Sequence, residues 1–318
     1  MKILNYGSLN IDHVYKMPAF VKAGETLSAT DCQLHTGGKG LNQSVALARA
    51  GARVFHGGKI GADGIDLKIY LEKTGVDCTY LRIDPEEPTG HAIIQVVDSG
   101  ENCILIYGGT NARITKEEID ETLAAFEPGD MLLLQNEISN VNYLIHKAHE
   151  KGMITVLNPS PITAELLEYD GLSLLDWMIV NQGEAETLAG IGGSEEGDAE
   201  AKNGGKTKKK DPNDVIDALK DKYPNASIVM TLGKHGAMCL VNGEKTFCRT
   251  FDYGKRVDTT GAGDTFTGFF LAGLAEGLCV YGCMEQASRA AGLSVTVAGA
   301  ADSIPTIEKV RTAVPIEL

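Results

Sequence analysis

Apolar residues along the chain fall into short runs separated by longer stretches with helical spacing. The run KILNYGSL at the N-terminus reads as a strand, and Gly40 to Ala50 then carries Leu41, Val45 and Ala48 at helical intervals before stopping at Gly51. RVFHGGKI is the next strand, and IDLKIYLEKTG a helix ending at Gly75. The rhythm resumes with DMLLLQ, SNVNYLIHKAHEKG, MITVLNPSP, DWMIVNQGE and SIVMTLG, mostly strand-like runs with one clear helix among them. Thr115 and Glu118 have the spacing of a capping box that opens the helix before DMLLLQ. Strands alternating with helices of this length imply βαβ units and a mainly parallel sheet, hence an α/β fold.

Two stretches leave this rhythm. Residues 11–36 hold no good helix but contain Val14–Tyr15, Thr26–Leu27 and Cys32–Leu34. Residues 89–107 place two apolar runs around the polar turn Asp98–Asn102, a hairpin signal. Both occur early, so they are expected to pair into a small second sheet that acts as a lid over the main one. The expected division is a body of 1–10, 37–88 and 108–318, with a lid of 11–36 and 89–107. Within the body, residues 190–214 are rich in glycine and charge, an acidic half followed by Lys206, Lys208, Lys209 and Lys210, and read as a solvated surface insertion.

Composition narrows the possible functions. With 29 basic and 43 acidic side chains the net charge is −14, which argues against nucleic acid as a partner. It leaves room for a bound phosphate, because backbone amides can hold an anion on an acidic protein. The first residues, MKILNYGSLNIDHVYKM, lack the long apolar run of a signal peptide, and no stretch has the length and apolarity of a membrane span. Seven scattered cysteines form no paired framework, so reduced thiols and a cytoplasmic location are expected.

Four motifs carry candidate chemistry. In VDTTGAGDTF, residues 257–266, small residues precede a helix starting near Asp264. Bare amides and the dipole at such a helix start make an anion site. Asp264 beside them is either a plain helix cap or a general base acting next to an anion hole built on Gly261, Ala262 and Gly263. In Gly37–Gly38–Lys39–Gly40–Leu41–Asn42, glycines permit close approach to a ligand, and Lys39 and Asn42 can face one way. Gly40 stands where a phosphate-binding P-loop needs Ser or Thr, so that motif is excluded. In Ser8–Leu9–Asn10–Ile11–Asp12, Asn10 and Asp12 alternate to one side and suit vicinal sugar hydroxyls, though a turn would also use them. In Asn181–Gln182–Gly183–Glu184, the three-residue spacing fits either a water-coordinated Mg²⁺ at nucleotide phosphates or a capping box.

In this order, with GET at 24–26, TG at 89–90, NPSP at 158–161 and TLGKHG at 231–236, these motifs resemble the ribokinase-like (phosphofructokinase B) family of carbohydrate kinases, and within it the ribokinases. The resemblance runs from about Ile3 to Pro305. It implies a three-layer αβα body with a mainly parallel sheet and a small β-sheet lid that also forms a homodimer contact. It further implies ATP-dependent transfer of the γ-phosphoryl group to the primary hydroxyl of a pentose, ribose O5 first. Other acceptors are fructose, a ketodeoxy sugar acid or a nucleoside, and a non-catalytic sugar or nucleotide sensor is the remaining alternative. By resemblance, Asn10, Asp12, Gly38, Lys39, Asn42 and Glu137 bind sugar hydroxyls, and Asp264 is the base. Asn181 and Glu184 serve Mg²⁺ and the phosphates, Glu184 through water, while Thr231 and Gly233 lie along the nucleotide. A monovalent cation, K⁺ by resemblance, is expected at Asp258, Thr260, Ser294, Val297, Gly299 and Ser303.

Overall fold

The computed structural model describes residues 1–191 and 210–316. The chain begins with β1 (Ile3–Tyr6), β2 (Asn10–Met17), β3 (Asp31–Gly37) and α1 (Lys39–Arg49), followed by β4 (Val54–Gly61), α2 (Ile65–Lys73) and β5 (Leu81–Asp84). Next come β6 (Gly90–Val97), β7 (Asn102–Tyr107), α3 (Lys116–Leu123), β8 (Met131–Gln135), α4 (Val141–Lys151), β9 (Ile154–Asn158) and α5 (Ala164–Leu167). The remainder is β10 (Trp177–Asn181), α6 (Gln182–Ala189), α7 (Pro212–Lys222), β11 (Ser227–Thr231), β12 (Ala237–Val241), β13 (Glu244–Cys248), α8 (Ala262–Glu276), α9 (Val280–Ser294) and α10 (Ile307–Thr312).

Nine strands form one sheet in the order β13-β12-β11-β10-β9-β8-β1-β4-β5, parallel except for β12 and β13 at one edge. Alternate strand residues feed two cores. Ile3, Leu133, Val156, Ile179 and Val229 point to a layer built from α1, α8 and α9, among others. Leu4, Leu132, Leu134, Met178 and Met230 point to α3, α4, α6 and α7. Buried on both faces, these strands read as continuous apolar runs, which is how MLLLQ and SIVMT appear in the sequence. The result is a three-layer αβα body, as the resemblance implies.

β2, β3, β6 and β7 form the second sheet, in the order β3-β2-β6-β7, with β2 and β6 parallel. It is thinly covered: Leu34, Ile104, Leu105, Ile106 and Tyr107 are all exposed. In the large sheet, the chain builds outward from β1 through β4 to β5, then crosses back to β8 on the other side. The strand order therefore reverses between β1 and β8, and in open α/β sheets ligands bind at the carboxyl ends of strands at such a point.

Of the residues expected to form an insertion, 192–209 lie outside the described residues. No helix among the described residues is long and apolar enough to cross a membrane. All seven cysteines are free, with Cys78, Cys239, Cys248 and Cys283 buried and the others exposed.

Candidate active site

The candidate residues sit where strands end. β1 runs out into Ser8 and Asn10, β8 into Glu137, β10 ends on Asn181 and β11 on Thr231. A cavity of about 150 Å³ at these ends is walled by Lys39, Asn181, Glu184, Thr231, Gly261, Gly263 and Asp264. Residues separated by more than 200 positions thus meet around one space.

Helix α8 supplies its floor. Gly261 precedes it in the left-handed region at φ 73°, and an added Cβ there would lie 3.1 Å from the Ala300 Cα. Asp264 is the third residue of the helix, not its cap, and makes no capping bond. The helix-cap alternative for Asp264 is therefore not the one the side chain adopts. Its carboxylate accepts hydrogen bonds from Asn42 Nδ2 at 2.9 Å and Gln43 Nε2 at 2.8 Å, and the residue is only 8% exposed. Among the described residues, the amides of Gly261, Gly263 and Asp264 meet no backbone acceptor, whereas the Ala262 amide makes a long 3.3 Å bond to the Thr259 carbonyl. Free amides at a helix start beside a buried carboxylate can hold an anion next to a proton acceptor.

Helix α1 brings the second group. Gly38 precedes it at φ 95°, where a Cβ would come within 2.7 Å of the Ser8 carbonyl oxygen, so this close turn requires glycine. The turn aims the Lys39 amide at Glu137 Oε2, 3.0 Å away, and the Ser8 hydroxyl donates to the same oxygen. Burial raises the proton affinity of the Glu137 carboxyl, against the hydrogen bond from Ser8 and the charge of Lys39. Asp12, pressed against Gly37, is pushed up to about 6 by burial and by the Glu137 charge. Asn10 is buried, and its Oδ1 accepts from Asn111 Nδ2 at 2.8 Å. Asn10, Asp12, Asn42 and Glu137 lie outside the wall of the 150 Å³ cavity; Glu137 connects to it through the Lys39 amide and Asn42 through Asp264. Asn42 Oδ1 is buried without a partner among the described residues.

Asn181 and Glu184 form a reciprocal capping box on α6, with both bonds at 2.9 Å, while also facing the cavity. The structural role of this pair is thus present together with its placement at the site. A second, adjoining cavity of about 530 Å³ shares Thr231 and Gly263 with the first and continues past Gly233, Phe251 and Phe266. Together the two cavities make an elongated cleft, polar at the α8 tip and more apolar beyond.

The residues expected to hold a monovalent cation converge behind that tip. Asp258 accepts from the Thr260 amide (2.9 Å) and hydroxyl (2.7 Å), and from the Gly299 amide at 3.0 Å. Burial opposes ionisation of Asp258, but these bonds outweigh it and hold the carboxyl below its ordinary value. The Ser294 carbonyl accepts from the Val297 amide at 3.0 Å, and the Ser303 hydroxyl donates to the Ala300 carbonyl at 2.8 Å. A set of hard oxygens rich in carbonyls fits an alkali cation in kind.

Motif reading missed the polar side chains behind the site. Asn5, Gln43 and Gln135 are fully buried and Asn111 is 2% exposed, and all four hydrogen-bond to one another or to site residues. The available signal was an amide inside an otherwise apolar run, as in ILNY and MLLLQ.

Known proteins share this sequence pattern and this fold. Residues 1–307 match the family described as pfkB family carbohydrate kinase. A ribokinase of Haemophilus influenzae is 36% identical over 304 residues, 94% of each chain. The crystal structure of a Cryptococcus neoformans ribokinase in complex with ADP superposes with a TM-score of 0.82 at 34% identity, covering 98% of both chains. The Arabidopsis thaliana ribokinase complexed with ribose and ATP gives 0.81 at 28% identity over 97% of both. This chain is therefore a member of the pfkB family of carbohydrate kinases.

Proposed function

We propose that the protein transfers the γ-phosphoryl group of ATP to the primary hydroxyl of a pentose, with ribose O5 as the acceptor. The observation that carries this reading is the position of Asp264: buried, ionisable, and facing the same cavity as the free amides of Gly261 and Gly263. The ribose, ATP and ADP bound to its relatives support the choice of substrates.

In this reading the sugar lies under the lid, its hydroxyls held by Asn10, Asp12, Gly38, Lys39, Asn42 and Glu137. The unpartnered Asn42 Oδ1 is a ready acceptor for one of them. The nucleotide occupies the larger cavity along Thr231 and Gly233, its γ-phosphate at the α8 tip. Asp264 takes the proton from O5 as the O5–P bond forms and the bond from phosphorus to the ADP oxygen breaks. The products are the sugar 5-phosphate, ADP and a proton passed to solvent. The Gly261 and Gly263 amides, and Ala262 if it releases Thr259, stabilise charge on the equatorial oxygens. Positioning and charge supply most of the rate, and lid closure keeps water from competing.

Asn181 and Glu184 would hold Mg²⁺ at the phosphates, Glu184 through water, and that ion would neutralise charge on the nucleotide. Asp258, Thr260, Ser294, Val297, Gly299 and Ser303 would hold K⁺, which steadies the loop that Gly261 packs against without touching substrate. The exposed apolar lid residues favour a homodimer through the lid. Free cysteines throughout favour the cytoplasm. The test is ADP release with a panel of ribose, 2-deoxyribose, fructose, a ketodeoxy sugar acid and nucleosides, with and without K⁺. Ribose should give the highest kcat/KM; a higher value for a nucleoside or hexose would overturn the acceptor, and ribose binding without ADP release would favour the sensor.

A further inference from the structure

Behind Asp264 runs an unbroken chain of buried amides whose polarity is fixed by the backbone. It starts at the Gly40 carbonyl, which can only accept. Asn5 must therefore direct Nδ2 to it, at 2.7 Å, and Asn5 also reaches Ser44 Oγ at 2.8 Å. That leaves Asn5 Oδ1 as an acceptor, filled by Gln135 Nε2 at 2.9 Å. The second proton of Gln135 Nε2 goes to Gln43 Oε1 at 2.7 Å, so Gln43 must turn Nε2 the other way, toward Asp264 Oδ1 at 2.8 Å. A second backbone carbonyl gives the same answer independently. Ile179 O accepts from Asn158 Nδ2 at 2.9 Å, which leaves Asn158 Oδ1 to accept from Gln43 Nε2 at 2.9 Å. Two routes from opposite sides thus require an N–H of Gln43 to meet the carboxylate. Amide orientations are ordinarily ambiguous, but here the network assigns them.

We infer that Gln43 is a positioning residue for the general base: with Gln135, Asn5 and Asn158 behind it, it locks the Asp264 carboxylate in the rotamer that faces the acceptor hydroxyl. The inference rests on the proposed role of Asp264. Two donors hold this carboxylate, but they are not equivalent. Asn42 has a free buried Oδ1 and is assigned to a sugar hydroxyl, so it can share or release Asp264 when substrate enters. Gln43 is fully buried, with both ends of its amide committed, and stays. A hydrogen bond to a charged group in a dry site both orients it and resists rotation as it changes charge.

The test is a double-mutant cycle of Gln43→Leu and Asp264→Asn, with turnover, ribose and nucleotide Kd, and melting temperature measured for each variant. Gln43→Leu alone should lower kcat about 10- to 100-fold, the scale of one hydrogen bond to a charged group, with both Kd values within about threefold of the parent. In the Asp264→Asn background the same change should cost less than about threefold, because Gln43 acts only through the carboxylate. A merely structural Gln43 would lower turnover equally in both backgrounds, or would weaken binding instead; either result overturns the inference. Retained activity in Asp264→Asn alone overturns the role of the base itself, which keeps the two failures distinct. Gln43→Met, unbranched and close in volume, is the second variant if leucine does not fold. If neither folds, the ternary complex decides: Gln43 Nε2 still bonded to Asp264 supports the inference, and Gln43 turned away overturns it.

Discussion

Asp264→Asn removes the proposed base while keeping its shape, and the hydrogen bonds around it predict how the protein responds. One carboxylate oxygen accepts from Gln43 and the other from Asn42. The substitution turns one acceptor into a donor, which would ordinarily leave two donors facing each other and cost about 1–3 kcal/mol. Here the cost is avoided. Gln43 is fixed, so the new carbonyl must stay on its side and the new amide must face Asn42. Asn42 has a buried Oδ1 with no partner, and a half-turn of its amide delivers that oxygen to the new donor. Both hydrogen bonds survive in neutral form, so the stability change should stay within about 1 kcal/mol, a melting shift of a few degrees. Turnover should fall about 10²–10⁴-fold, the scale of general-base removal, equivalent to about 2.7–5.4 kcal/mol in the barrier. ADP release at saturating ribose and ATP gives the rate, and calorimetric titration gives a ribose Kd expected to stay near the parent value, because the turned Asn42 presents Nδ2 where Oδ1 stood and a sugar hydroxyl can accept as readily as donate. A variant that folds normally and keeps kcat within about threefold would refute the reasoning; one that unfolds would refute the account of the Asn42 flip.

Other perturbations probe separate parts of the structure. Asp12→Asn should stabilise the ligand-free protein at pH 8 and have little effect at pH 4. The folded-state carboxyl is raised to about 6, so the native state binds the extra proton between roughly pH 4 and 6 and stability declines as pH rises through that window; the stabilisation is at most about 3 kcal/mol by urea unfolding. Ribose affinity should fall at the same time. Gly38→Ala places a Cβ 2.7 Å from the Ser8 carbonyl at φ 95°, so it should cost about 1–3 kcal/mol and raise the ribose KM, checked by urea unfolding and steady-state kinetics. Arg49 donates to the carbonyls of Ala301 (3.0 Å), Asp302 (3.4 Å) and Ile304 (2.5 Å), so if the proposed K⁺ site forms beside this loop, Arg49→Met should raise the K⁺ concentration for half-maximal activity while leaving the ribose KM unchanged. Leu105→Asp, on an exposed lid strand, should shift the protein to a monomer by light scattering if the lid is the dimer contact.

Much of the architecture was legible because the period of the apolar pattern changes with the element. MLLLQ and SIVMT are buried on both faces and show as unbroken runs, while Leu41 and Val45 mark the buried stripe of α1. The hairpin of β6 and β7 announced itself through its polar turn. Less was visible at the sheet edge: β12 and β13 are short, and GEKTF carries too few apolar residues to stand out. Helix α9 was not legible because small residues, Cys283, Ala287, Ser288, Ala290 and Ser294, make up most of its buried face beside Met284 and Leu293; its fit to α8 is close, and a Cβ at Gly273 would come 3.1 Å from Cys283 Sγ. At the site, the glycine-rich and acidic motifs were readable as local sequence. The amide relay was not, since Asn5, Gln43, Gln135 and Asn158 come from four separate elements and only the sheet brings them together. The Asn181–Glu184 spacing fitted two roles, and local sequence alone had no means of choosing between them.

In the proposed reaction, the Asp264 carboxylate and the bare amides at the α8 tip face an alcohol and a triphosphate at the same time. A crystal structure with ribose and a non-hydrolysable ATP analogue measures this directly. Asp264 should lie within about 3.2 Å of the ribose O5, with the γ-phosphate against the Gly261 and Gly263 amides and in line with that oxygen. A sugar bound with O5 remote from Asp264, or a γ-phosphate seated away from the α8 tip, would contradict it.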